Sequence, residues 1–172
     1  MAIPLLLSSI AAGLISTGVM VFFLYLPLVW RGDYYDVLGA LGSAITRKLD
    51  AQARFLGGLI YFGGGIFVSL FYGWVVLSLM QTTGIVPQFI IFPGLPAEIN
   101  LFYPLLGVAI GLGHGLLVAF FVVIIVIEHH PLAQFRTRFI LVVSQIISHV
   151  AFGATVMLFQ SQFLQLLTRN QL

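Results

Sequence analysis

Four uncharged apolar runs constrain this chain more than any other feature of its sequence. They cover residues 3–30, 55–80, 101–127 and 139–166, and about 20 apolar residues are enough for a helix to cross the hydrocarbon layer. Within lipid, a spanning segment must satisfy its own backbone polar groups, which favours helices. The sequence therefore predicts an all-α integral membrane protein, a four-helix transmembrane bundle.

The composition excludes a water-soluble fold. Charged residues make up 7% of the chain, against about 25% in soluble domains. Nothing outside the apolar runs is large enough for a second core, so residues 1–172 are expected to form one transmembrane domain. A net charge of +2 is too small to indicate a nucleic-acid partner. The expected partners are membrane lipids and other proteins within the membrane.

The first run is interpreted as a membrane span and not as a signal peptide. No Lys or Arg precedes it, and it is longer than the apolar core of a signal sequence. Because the chain has no Cys, disulfides and Cys-ligated metals are excluded as well.

The segment between the first two runs, residues 31–54, predicts an amphipathic helix at the membrane interface. Asp33 is expected to be its N-cap, with Asp36 three residues later. Apolar residues then recur at helical spacing: Tyr34, Leu38, Leu41, Ile45 and Leu49. Such a helix either docks a partner or simply connects two spans along the lipid surface, and the connector is the simpler interpretation.

The distribution of Lys and Arg predicts the orientation of the chain. Counted before, between and after the four runs, the numbers are zero, four, zero, two and one. Since basic loops stay in the cytoplasm, both termini are expected outside it, in a multi-pass protein of the inner (plasma) membrane. The uncharged connection at 86–95 then lies on the outer side, where its apolar residues favour contact with headgroups or another protein.

Small residues, with Tyr61 among them in the second span, recur at intervals of four in the predicted spans, a spacing that lets helices approach closely. They form three faces: Ser9, Gly13 and Thr17 in the first span; Gly57, Tyr61, Gly65, Ser69 and Gly73 in the second; Gly107, Gly111 and Gly115 in the third.

Two histidines, His114 and His149, are predicted to lie at the same depth near mid-membrane. His114 is 13 residues into the third run and His149 is 10 into the antiparallel fourth. Polar groups at this depth are costly unless they are paired. The ordinary interpretation is that each ring hydrogen-bonds a neighbouring carbonyl or hydroxyl, for which these residues are available: Ser16, Thr17, Tyr61, Ser144 and Ser148.

Two functional interpretations stay open for the same pair. In one, His114 and His149 are axial ligands of a b-type haem or another tetrapyrrole, and Gly111, Gly115 and Gly153 leave room for the flat macrocycle. In the other, the imidazoles handle protons or ions. The nearest basic partner for a haem propionate would be Arg138, 11 residues from His149.

The end of the third run, Glu128-His129-His130-Pro131, is interpreted as an interfacial anchor. The two histidines could share a surface metal only if the helix has unwound before Pro131. No paired carboxylates lie in the membrane, and no phosphate-binding loop or nucleophile with a base is present. The chain is therefore not expected to be an enzyme by itself.

Three motifs resemble a group of small four-span bacterial membrane proteins of unknown function. They are Gly57-x3-Tyr61-Phe62-x2-Gly65-x3-Ser69-x2-Tyr72, then Gly111-x2-His114-Gly115 leading to His130-Pro131, and Ser148-His149-x3-Gly153. The resemblance covers most of the chain and implies the four-span fold but no activity. In that group the place of Tyr61 is often a His, so this chain has one imidazole fewer in its central layer.

Together these features predict a small non-catalytic subunit or accessory protein of a larger membrane complex, expected to be an energy-transducing one. A haem-carrying electron-transfer protein is the alternative, and a small transporter or proton channel is the third.

Overall fold

The computed structural model describes residues 2–26, 29, 34–84, 101–121, 128–136 and 139–169. Within these ranges it is all-helical. Helix α1 covers Ala2–Tyr25, α2 Val37–Thr46, α3 Ala51–Thr83, α4 Phe102–Phe121 and α5 Phe139–Arg169, and a short 3₁₀ turn covers Ala133–Phe135. The apolar connection at 86–95, the predicted N-cap Asp33 and the basic residue Arg138 lie outside the described residues.

The four predicted spans are confirmed as helices. Helices α1, α3, α4 and α5 are long and apolar enough to cross a membrane. Among the described residues, α5 packs along both α1 and α4, α1 packs along α3, and α2 packs on α3. Helix α3 also contacts α5, and the ring of Tyr72 on α3 packs against His114 on α4.

Close approach of α1 to α3 depends on the small-residue faces that the sequence predicts. Ser9, Gly13 and Thr17 are buried, and a Cβ built on Gly13 would lie 2.8 Å from the Cα of Ile66. The Oγ1 of Thr17 lies directly against Gly65. Since lipid is as apolar as leucine, this van der Waals contact is what holds such helices together.

Helix α2 differs from its predicted form. It begins at Val37 with Asp36 as its N-cap, and it ends at Thr46, where Arg47 adopts a left-handed conformation with φ 58°. The helix starts late because the Asp36 carboxylate accepts the backbone N–H of Gly39 at 2.9 Å, so Asp36 caps the helix from outside it.

Glycines also bring α2 against α3, so that α2 is a packed element of the fold. A Cβ on Gly42 would overlap the backbone of Ala53, and one on Gly57 would overlap the carbonyl of Leu38. The buried residues of α2 are Val37, Gly39, Ala40, Gly42 and Ser43.

Candidate functional site

The two histidines that are predicted to lie near mid-membrane are in contact. His114 on α4 and His149 on α5 have ring centroids 4.8 Å apart, with an edge-to-face angle of 87°. Their predicted common depth is therefore confirmed, and the physical reason lies in the glycines beside them. A Cβ on Gly115 would lie 2.9 Å from the Cβ of His149, and one on Gly111 would lie 2.5 Å from its carbonyl oxygen.

Each of the two imidazoles has a hydrogen-bond partner. The Nδ1 of His149 lies 2.7 Å from the carbonyl oxygen of Gln145, one turn earlier on the same helix. A carbonyl only accepts, so Nδ1 carries the proton, and in the neutral ring Nε2 is left as an acceptor. The Nδ1 of His114 lies 3.4 Å from the hydroxyl oxygen of Tyr72 on α3.

Tyr72 is a central residue of the site that the sequence did not single out as a partner of the histidines. Its side chain is 1% exposed. Its ring packs against His114 and also edge-to-face against Phe152, with ring centroids 5.9 Å apart in the second pair. The available signal was its position three helical turns after Tyr61 in the same span. Spacing alone does not say which of the two tyrosines reaches α4, because the tilt between helices decides that.

A cavity of about 140 Å³ lies beside the histidine pair. All five helices contribute to its wall, through Met20, Leu41, Tyr61, His114 and Phe152 among others. The hydroxyl oxygen of Tyr61 is buried and has no hydrogen-bond partner among the described residues. The cavity therefore combines apolar walls with an unsatisfied hydroxyl and two imidazoles.

A larger cavity of about 240 Å³ lies elsewhere along the bundle, between α1, α3, α4 and α5. Gln160 contributes to its wall, and the amide Nε2 of that residue donates to the Oγ of Ser9 at 2.6 Å. The other walls are mostly apolar, including Val76, Met80 and Met157.

The pair does not fit a haem held by both imidazoles. Two axial ligands must point at the iron from opposite faces of a macrocycle, whereas here the edge of one ring meets the face of the other at 4.8 Å. The adjoining cavity of about 140 Å³ is close to one that accepts a single benzene, about 150 Å³. A tetrapyrrole is several times larger than that.

The space beside the glycines proposed to make room for a macrocycle is instead occupied by the facing helix. A Cβ on Gly153 would lie 2.9 Å from the Cα of Gly111 and would overlap the carbonyl oxygen of Gly107. Gly111, Gly115 and Gly153 are all buried in the contact between α4 and α5. The structure thus places them where the packing interpretation puts them.

His130, which was predicted to be part of an interfacial anchor after the third span, instead forms hydrogen bonds within the protein. His130 is 2% exposed, and its Nε2 lies 3.0 Å from the carbonyl oxygen of Ala40 on α2, while its Nδ1 accepts the backbone N–H of Leu132 at 3.0 Å. His130 therefore fastens this loop to α2, whereas His129 is exposed. Within the described ranges, no group of three or more His, Cys, Asp or Glu residues could hold a metal ion.

A second polar junction, at the N-terminus of α2, joins three helices. The Asp36 carboxylate accepts from the hydroxyl of Tyr25 on α1 and from the Nε of Arg54 on α3, both at 2.8 Å. Partial burial opposes ionisation of Asp36, but the hydrogen bonds from Arg54, Gly39 and Tyr25 outweigh it and lower the pKa of the carboxyl.

No protein family matches the chain, and comparison with curated proteins and with solved structures finds no match. The resemblance to small four-span bacterial membrane proteins stays a prediction.

Proposed function

We propose that the chain is a small non-catalytic subunit of a larger membrane assembly, packed against spanning helices of other subunits. The observation that carries the proposal is a set of glycines that face open space. Among the residues that the structure describes, a Cβ would meet no atom within 4 Å at any of these helical positions, which also line neither of the cavities described above: Gly18, Gly58, Gly63 and Gly113. A glycine inside a helix costs up to about 1 kcal/mol relative to alanine, and no packing against the described residues offsets that cost here.

Helix α4 presents the clearest case because it has small residues on two faces. Its inner glycines, Gly107, Gly111 and Gly115, are buried. On its outer side, Ala109 and Gly113 are exposed four residues apart, which is the spacing that admits a second helix at close range. A spanning helix of another subunit is the occupant that this surface fits.

The two other predicted functions receive less support. A haem between His114 and His149 does not fit the geometry of the rings. A transport path would need continuous space along the bundle, but Ala12, Phe152 and Val156 are all fully buried between the helices. The energy-transducing character of the complex stays a prediction.

The proposal predicts that bulk on the outer face of α4 releases the chain from its complex. The full chain is expressed in the cells that naturally make it, and membranes are solubilised in mild detergent or in native-lipid discs. Wild type should elute with at least one further membrane protein at a fixed stoichiometry, and Gly113→Leu should elute alone. Because Gly113 has open space among the described residues and leucine favours the helix more than glycine does, the variant should melt at the wild-type temperature or slightly above it.

The matched control is Leu116→Ile, which keeps the volume of another exposed residue of the same helix. This variant should stay in the complex. A wild-type chain that is a stable lone monomer in native-lipid discs, or a Gly113→Leu chain that stays associated, would overturn the proposal.

A further inference from the structure

The cavity beside the histidine pair has polar groups that its own walls do not satisfy. The Tyr61 hydroxyl is buried with no partner among the described residues, and a buried unsatisfied hydroxyl carries a free-energy penalty of about 1–3 kcal/mol. The Nε2 of His149 is an acceptor, since Nδ1 is committed to the carbonyl of Gln145. Because Tyr61 and His149 both line the cavity, its wall carries one residue with a free donor and one with an acceptor nitrogen.

The size of the cavity selects a small ring. Its volume is about 140 Å³, close to the roughly 150 Å³ of a cavity that binds benzene. Most of its wall is apolar, with Met20, Leu41, Val68 and Phe152 around the space. One six-membered ring with a polar substituent matches both the volume and the mixed lining.

The position of the cavity determines how a ligand would arrive. Ile60 and Gly64, which belong to its wall, are exposed on the surface of α3. That surface belongs to a membrane-spanning helix, so the surrounding solvent is hydrocarbon. A molecule that is dissolved in the membrane can therefore reach the cavity past Ile60 and Gly64.

We propose that this cavity binds the ring of a membrane-dissolved phenol or quinol. A ring hydroxyl both accepts and donates, so it can accept from Tyr61 and donate to an imidazole nitrogen of the histidine pair. A quinone or an ether could only accept, which would leave the acceptor of His149 unpaired. The site is thus distinct from the outer face of α4 that carries the proposed function.

The experiment measures binding of three matched probes to the purified full chain in lipid nanodiscs, with empty nanodiscs as the reference for partition. The probes are 4-butylphenol, which donates and accepts, 4-butylanisole, which only accepts, and butylbenzene, which does neither. We expect saturable binding of the phenol, about tenfold tighter than that of the anisole. The anisole leaves the buried acceptor nitrogen of His149 without a hydrogen bond, and the free-energy penalty for such a group corresponds to about a tenfold loss of affinity.

Variants connect the binding to the cavity. Tyr61→Phe keeps the shape of the ring and removes the donor, so it should weaken phenol binding about tenfold and leave butylbenzene binding unchanged. Gly64→Leu should abolish binding, because Gly64 lines the cavity and has open space for a side chain. Gly63→Leu is the control: this neighbouring glycine also faces open space but is not in the cavity wall.

Three results would overturn the inference. One is phenol binding no tighter than butylbenzene, which would indicate an apolar cavity only. Another is a Gly64→Leu chain that binds as wild type does. The third is no saturable binding of any probe, which would leave water as the occupant. If a variant fails to fold, the selectivity of the wild-type chain between phenol and anisole still decides the question.

Discussion

At the scale of single residues, the glycines of α4 and α5 show that one residue type has two different roles here. Gly107, Gly111 and Gly153 bring two backbones together, and any side chain at these positions would meet the facing helix. Gly113 belongs to the same helix as two of them, but a Cβ there would meet none of the described atoms within 4 Å. The same substitution should therefore have opposite effects at the two kinds of position.

Gly153→Ala is expected to destabilise the folded chain by about 1–3 kcal/mol, the usual range for overpacking a tight contact. Gly113→Ala should be neutral or stabilise the fold by up to about 1 kcal/mol, because alanine favours the helix. Denaturant titration in detergent, followed by circular dichroism, measures both. Equal effects of the two substitutions would contradict the packing described for α4 and α5.

The histidine pair is also a residue-scale feature, and the sequence predicted part of its geometry. Counting residues from the span ends placed His114 and His149 at one depth, which the ring contact confirms. The angle of 87° between the rings could not be predicted from the sequence. It follows from how closely α4 and α5 approach, and that distance is set by glycines whose partners are known only once the helices are assembled.

At the scale of elements, α2 shows how one carboxylate can organise three helices. Asp36 caps α2 while Tyr25 and Arg54 bind it from α1 and α3. The sequence predicted a helix in this region and named both acidic residues, but it placed the N-cap at Asp33. Local spacing allows either aspartate as a cap, and the neighbouring tyrosine and arginine favour Asp36.

Stability should depend on the ionisation of Asp36. Its pKa is lowered in the folded chain, so on acidification the unfolded chain takes up the proton first. The free energy of unfolding therefore decreases as the pH falls. The stabilisation is fully present above the ordinary aspartate pKa of about 4. It is lost as the pH falls through the lowered folded value.

The test compares the denaturation midpoints of wild type and Asp36→Asn between pH 7 and pH 3. Asparagine can still cap the helix but carries no charge for Arg54, so the variant should be less stable at pH 7 and should lose less stability on acidification. Asp36→Ala, which also loses the cap, should cost about 1 kcal/mol more. Parallel pH profiles for wild type and Asp36→Asn would exclude this role of the carboxylate.

At the scale of the whole molecule, small residues determine which spans approach each other closely. Helix α5 packs along α1 and α4, and α3 packs along α1 and reaches α4 and α5 through Tyr72. All five helices line the cavity beside the histidine pair. Both the cavity and the exposed face of α4 are thus products of the assembly of the four spans.

The orientation of the molecule in the membrane can be tested directly because the chain has no cysteine. Lys48→Cys lies in the basic connection predicted to be cytoplasmic, and Gln81→Cys lies near the opposite end of α3. Both positions are exposed. In intact cells, a membrane-impermeant thiol reagent should label Gln81→Cys and not Lys48→Cys, and permeabilised cells should label both. The reverse pattern would contradict the orientation inferred from the basic residues.

The sequence by itself determined that this chain forms membrane-spanning helices, where those helices lie, and that two histidines share one depth. These properties follow from apolar length and helical rise, which are local. Only the tertiary structure decided that Gly111, Gly115 and Gly153 pack helices and that Tyr72 reaches His114. It also decided that the Tyr61 hydroxyl, beside a cavity, has no hydrogen-bond partner among the described residues. Each of these depends on the distance and tilt between helices, which arise from contacts between residues far apart in the chain.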